Sequence, residues 1–207
     1  GPPALAEHAL LCLAALVQAS PANVNHIVGL STVHALLGLP TPEDKPMPSC
    51  VAQTLRTSAA ARGHAAKILS RCVETQVMQD LLQNTGDKSI KELVKLATAI
   101  REDGKGNLES FHDMMHVFYI ISQVRPGPLC RYVTADMMNL FAELSLSPDQ
   151  NVISARAVAI VEMLKKDPHC AKVLEPALNR GAEGADYDAE DELLSLRPGE
   201  GAAIRMH

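Results

Sequence analysis

Between residues 108 and 124 the apolar and polar side chains separate cleanly on a helical wheel. Phe111, Met114, Val117, Phe118 and Ile121 fall on one side, and Glu109, His112, His116, Tyr119 and Gln123 fall on the other. A 100° step between residues produces that split, so the segment predicts a helix buried along one stripe. The same period, punctuated by proline, glycine and capping residues, divides most of the chain into helices. Ala4–Gln18 is one amphipathic helix. Ser20-Pro21, an N-cap followed by proline at the first helical position, opens a short helix to Val28, which Gly29 ends. Ser31–Leu39 follows, closed by Pro40, and the four prolines of residues 40–48 make a loop. Ser49–Cys72 predicts a long helix with a kink at Gly63, and Val73–Gln83 a short one. Ser89 and Glu92 form an S-x-x-E capping box for a helix to Ile100. After the glycine loop 103–107 come Leu108–Val124, Leu129–Thr134 and Ala135–Leu144. Ser147-Pro-Asp-Gln150 reads as an N-cap, a first-position proline and a capping-box glutamine, opening a helix to Lys166. Asp167-Pro168 opens the last helix, to Leu178.

The order of these helices repeats. A long helix meets a proline-marked corner, then a short helix and a medium one follow. The cycle runs from Ala4, again from Ser49 and again from Leu108, with a partial copy from Pro148; the corner prolines Pro128 and Pro168 lie 40 residues apart. A hairpin of this kind cannot bury its apolar face alone, so successive copies must stack and share one core. Composition agrees. Hydrophobic residues are 47% of 207 while aromatics are 3%, so the apolar mass is aliphatic and helix-favouring, and no β-branched and aromatic run is bounded by a hairpin turn. The prediction is an all-α domain over residues 1–182.

Two stretches resemble the armadillo-repeat family. Ser20-Pro-Ala-Asn-Val-Asn-His-Ile-Val-Gly-Leu-Ser-Thr-Val-His-Ala-Leu-Leu-Gly-Leu39 is similar to the family's short first helix, its glycine and its Leu-Leu second helix. Ser147–Leu164 is similar to its long third helix. The resemblance covers residues 4–178 and extends to HEAT-type repeats. It implies a right-handed superhelical stack, an α-solenoid, in which the third helices line a groove that holds a protein. Here those helices are 49–72, 108–124 and 148–166. The groove residues implied are Glu109, His112, His116, Tyr119 and Gln123 on one helix and Asn151, Ser154, Glu162 and Lys165 on the next. Family members that grip extended peptides carry an Asn near the end of the third helix. Leu13–Val17, Ile68–Cys72, Ile120–Val124 and Val161–Leu164 contain none, so a helix or folded domain is the expected partner. The array opens on a third helix, and Gly1-Pro2 without Met reads as the scar of a cleaved tag; both point to a fragment of a longer protein.

The sharpest chemical motif is His112-Asp-Met-Met-His116. Two imidazoles at i and i+4 share one helical face, as in H-E-x-x-H zinc proteases. Catalytic zinc needs a third ligand and a base of adequate reach. Asp113 is one methylene shorter than Glu, and no further ligand motif follows. A metal-dependent hydrolase is therefore the alternative, and a non-catalytic scaffold without a cofactor or bound metal the expectation. No G-x-S-x-G, Walker or dinucleotide motif is present. Arg156, on the apolar side of its helix, reads as a snorkelling side chain between repeats.

Charge changes the picture at one end only. The net −5 sits wholly in an acidic tail, residues 183–207, with seven acids against two arginines; the body is neutral. A neutral body without an aromatic-interleaved basic patch argues against nucleic acid and anionic membrane as partners. Within the tail, Leu193, Leu194 and Leu196 follow a run of acids and form a candidate docking motif, and self-association through the tail or the solenoid ends is a further expectation. The longest apolar run, Ala9–Val17, is too short to span a bilayer. Five cysteines without paired spacing read as buried thiols in a reducing, cytoplasmic setting.

Overall fold

The computed structural model describes residues 2–40, 49–104, 108–147 and 151–180. Within them the chain is helical, with no strand. The elements are α1 (Pro2–Ala19), a 3-10 turn (Pro21–Asn23), α2 (Val24–Ile27), α3 (Leu30–Leu36), α4 (Ser49–Thr57), α5 (Ala59–Cys72), α6 (Gln76–Thr85), α7 (Asp87–Glu102), α8 (Leu108–Val124), α9 (Pro126–Tyr132), α10 (Ala135–Ser145) and α11 (Val152–Leu164). A final helix, α12, occupies 168–180.

Helices far apart in sequence form one row. α1 packs on α5, α5 on α8, and α8 on α11. A second row runs α3, α6, α7 and α9, and the two close on each other through α5–α7, α7–α8 and α9–α11. The corner after α1 turns the chain by 110° at Ser20. There the prolyl ring of Pro21 presets the first helical φ and removes an N–H that would otherwise be orphaned. Between the rows lies one continuous core. Phe118 and Phe141 meet edge to face at its centre, centroids 5.9 Å apart, and Ile68, Leu69, Met78 and Leu93 are fully buried around them. The whole predicted apolar stripe of α8 is inside.

Several boundaries differ from the sequence expectation, each for a capping reason. The stretch 49–72 breaks at Ser58, not at Gly63, which lies inside α5. Ser58 Oγ accepts from the Ala61 amide at 3.1 Å and donates to Glu7 of α1 at 2.6 Å, so a side chain on α1 fixes the break. Arg62 closes the same corner. Its guanidinium forms a bidentate pair with Asp103 just after α7 and donates to the carbonyls of Leu55 and Arg56 at the end of α4. The 89–100 helix starts at Asp87, and Ser89 lies within its first turn, donating back to the Gly86 carbonyl. Gly86 has φ +55°, a left-handed conformation glycine adopts without strain. The final long helix starts at Val152. Its capping box pairs Asn151 with Ser154, and Pro148–Gln150, expected to open it, lie outside the described residues. Asp167 caps α12 as expected, accepting from the His169 and Cys170 amides.

Two apolar expectations also change. Val152, apolar and in the first turn of α11, is 65% exposed. Among the thiols Cys72 and Cys170 are buried, Cys50 and Cys130 half-buried, and Cys12 exposed on α1. No single helix among the described residues is long and apolar enough to cross a membrane.

Candidate functional site

The seam between α5 and α8 is polar along its length. Lys67 Nζ sits 3.0 Å from Glu109 Oε1, Ser70 donates to Asp113 Oδ1 at 2.9 Å, and His116 Nε2 faces Glu74 Oε1 at 4.0 Å. These pairs recur every three to four residues because α5 and α8 lie alongside each other, so each helical turn brings one polar side chain from each to the seam. Where the seam reaches α11, a cleft of about 400 Å³ opens. Ser70, Arg71 and Glu74 line it from the end of α5, Asp113 and His116 from α8, and Arg156 from α11, while Pro21 and Val24 form an apolar wall.

Two buried atoms face this region without a partner, Asp113 Oδ2 and His116 Nδ1. Burial pushes the Asp113 carboxyl above its usual range, opposed by the Ser70 hydrogen bond and by Lys67. Burial pushes the His116 imidazole below its usual range, and the positive charge of Arg156 adds to this; Glu74 and Asp113 oppose it. His112, one turn away, is lowered chiefly by burial as well. Near neutral pH both imidazoles are therefore uncharged. Glu109, held by the hydrogen bond from Lys67, is lowered. The guanidinium groups of Arg71 and Arg156 make no hydrogen bond or ion pair within the described residues, although Arg156 is half-buried.

The predicted groove residues divide into four groups. His112 and His116 share one face of α8, and Glu109 lies on the same helix beside Lys67. Tyr119 is half-buried against the core and Gln123 is exposed beyond it, its amide donating to Ser122. On α11, Glu162 and Lys165 pair on an exposed face at 3.1 Å. Asn151 and Ser154 are occupied in capping α11: Asn151 Oδ1 accepts from the Ile153 and Ser154 amides, and Ser154, 7% exposed, binds back to the Asn151 amide. Neither offers a free side chain to a partner. Leu193, Leu194 and Leu196 lie outside the described residues.

No protein-family model, no curated protein and no solved structure matches the chain.

What the cleft can do follows from its own side chains. Among the described residues no three His, Cys, Asp or Glu side chains converge in a way that could hold a metal ion, so no described residue stands as a third ligand beside His112 and His116. The cleft instead offers the guanidinium groups of Arg71 and Arg156 beside the His116 imidazole, a set suited to recognition by hydrogen bonds. Sequence reasoning missed Ser70 and Arg71, which belong to a stretch noted only for its lack of Asn, and Glu74 just beyond it. It noted Arg156 but placed it between repeats. The signal was there: an arginine on an apolar arc needs an acceptor or a route to water.

Proposed function

We propose that the chain is a non-catalytic protein-interaction scaffold, an α-solenoid of armadillo/HEAT-like repeats in a right-handed superhelix, and that it holds a protein partner against the row α1–α5–α8–α11. The observation that carries this reading is the polar cleft that crosses three helices of that row, with two arginines left unpaired in it. The row also takes its helices in the chain order that the repeat reading assigns to third helices, and stacked hairpins present such a row as a continuous surface. A helix or a folded domain, rather than an extended peptide alone, suits a row whose long helices lack a periodic Asn. The cytoplasmic assignment belongs to the same proposal and rests on five unpaired thiols.

Site-specific photocrosslinking tests it. A photoreactive residue is placed at His112, Gln123 or Glu162 on the first row, and at Lys88 or Lys91 on α7 of the second. Protein adducts are expected from the first set alone. Adducts formed equally from both sets, or from α7 only, overturn the proposal.

A further inference from the structure

We propose that the cleft between α5, α8 and α11 receives the carboxylate of an acidic peptide segment, held between Arg71 and Arg156. The inference rests on the groove reading and names the chemistry of what the groove takes. Elsewhere on this face the charges are matched, Lys67 with Glu109 and Lys165 with Glu162. Arg71 and Arg156 line one cleft with Asp113 and Glu74 but make no hydrogen bond or ion-pair contact among the described residues. A guanidinium stays charged at any accessible pH, and its planar fork fits a carboxylate with two parallel hydrogen bonds. A cleft of about 400 Å³ has room for an acidic side chain and its flanking backbone, with Pro21 and Val24 against the methylenes.

Two acids face the same space and set the conditions for binding. Glu74 stands at the rim, two-thirds exposed, with His116 Nε2 between it and the interior. Asp113 is engaged through Oδ1 by Ser70, while Oδ2 is buried and free. An incoming anion therefore meets two arginines and two acids. A proton on His116 or on Asp113 removes the remaining conflict, since His116 then donates from both nitrogens and Asp113 donates from Oδ2. Binding accordingly takes up a proton and tightens as pH falls from 8 to 6. Two sources supply this chemistry: the acidic segment 186–192 of the chain itself, or an acidic segment of a partner.

The test uses the full chain and a synthetic peptide copying residues 185–196, with a control peptide in which every Asp and Glu is an amide. The imidazole NMR signals of His112 and His116 are followed against pH with and without peptide. The acidic peptide is expected to shift the His116 signal and raise its titration midpoint, and the amide peptide to leave both unchanged. Arg156→Gln and Arg71→Gln are each expected to weaken the acidic peptide by about tenfold, the loss of one charged hydrogen-bonded contact. Circular dichroism establishes that each variant is folded, and a variant that does not fold is replaced by Arg156→Lys or Arg71→Lys, which keeps the charge and loses the fork. A His116 midpoint unmoved by millimolar acidic peptide in a full chain whose residues 186–192 are neutralised overturns the proposal, as does equal affinity of that chain with and without the Arg156 substitution. A full chain with residues 186–192 neutralised separates the sources. Tighter binding of the added peptide to that chain shows that the tail occupies the cleft; unchanged binding assigns it to a partner, and both carry the carboxylate site. Because the histidine readout needs no partner, it can fail while photocrosslinking succeeds, and the reverse.

Discussion

Replacing Arg62 by alanine removes a junction that ties three helices together. The guanidinium donates from Nε to Asp103 at 2.8 Å and makes a second bond to the same carboxylate; it also reaches the Leu55 and Arg56 carbonyls at 2.9 and 3.1 Å. Both side chains of the ion pair are 11% exposed. The substitution therefore takes the guanidinium from a largely buried carboxylate and removes a donor from two carbonyls at the end of α4. Breaking a buried pair by removing one partner costs about 3–5 kcal/mol. The lower end applies, because Asp103 lies in the turn after α7 and can reach water by a small movement. The expected loss is about 3 kcal/mol, or a fall of about 6–12 °C in Tm for a chain of this size. Urea unfolding followed by circular dichroism measures it. Lys67→Ala serves as the comparison: Glu109 is 81% exposed there, and the loss is expected to stay below about 1 kcal/mol. A double-mutant cycle with Asp103→Asn isolates the pair, with a coupling of about 2 kcal/mol expected. A loss under about 1 kcal/mol for Arg62→Ala, or a coupling near zero, refutes the assignment of this pair as the clasp of the α4–α5 corner.

Other consequences are as direct. Asn151→Ala should cost about 1 kcal/mol in the same assay, and Asn151→Ala with Ser154→Ala less than the sum of the two, because the capping box is reciprocal. Phe118→Ala should cost about 3–5 kcal/mol and Leu5→Ala almost nothing, since one is fully buried at the centre and the other 74% exposed on α1. Stability should fall as pH drops from 7 to 5. The folded state lowers the His112 and His116 pKa values, so the unfolded chain binds more protons once pH falls below the ordinary histidine value near 6.5; His116→Gln should flatten that slope, and an unchanged slope would count against the burial of this ring. In the native protein at pH 8 a maleimide should modify Cys12 first and leave Cys72 intact, because burial holds the Cys72 thiol up at about 12; rapid native labelling of Cys72 would contradict its place in the core.

How much of this was legible can be judged from α8. Its period placed Phe111, Met114, Val117, Phe118 and Ile121 inside, and all five are buried. Periodicity is a local property, set by 3.6 residues per turn, and needs no knowledge of the neighbours. α11 was harder. The wheel puts Val152 and Ile160 on one apolar arc, yet Ile160 is buried and Val152 is 65% exposed. The cap of α11 was not read from the sequence. Ser147-Pro-Asp-Gln150 is a sound N-terminal signal, but the box that caps α11 is made by Asn151 and Ser154.

By itself the sequence determined the all-helical state, the alternation of long and short helices, the buried stripe of α8 and the Asp167 cap. Each of these follows from interactions within about four residues. Tertiary structure alone decided that Ser58 breaks a long helix, because Glu7, fifty-one residues away, receives its hydroxyl. It also decided that Arg62 clasps Asp103 and that Arg71, Asp113, His116 and Arg156 share one cleft. No local pattern encodes those meetings. They arise because α1, α5, α8 and α11 bury their apolar stripes against one another, and that burial brings their polar flanks to a common seam.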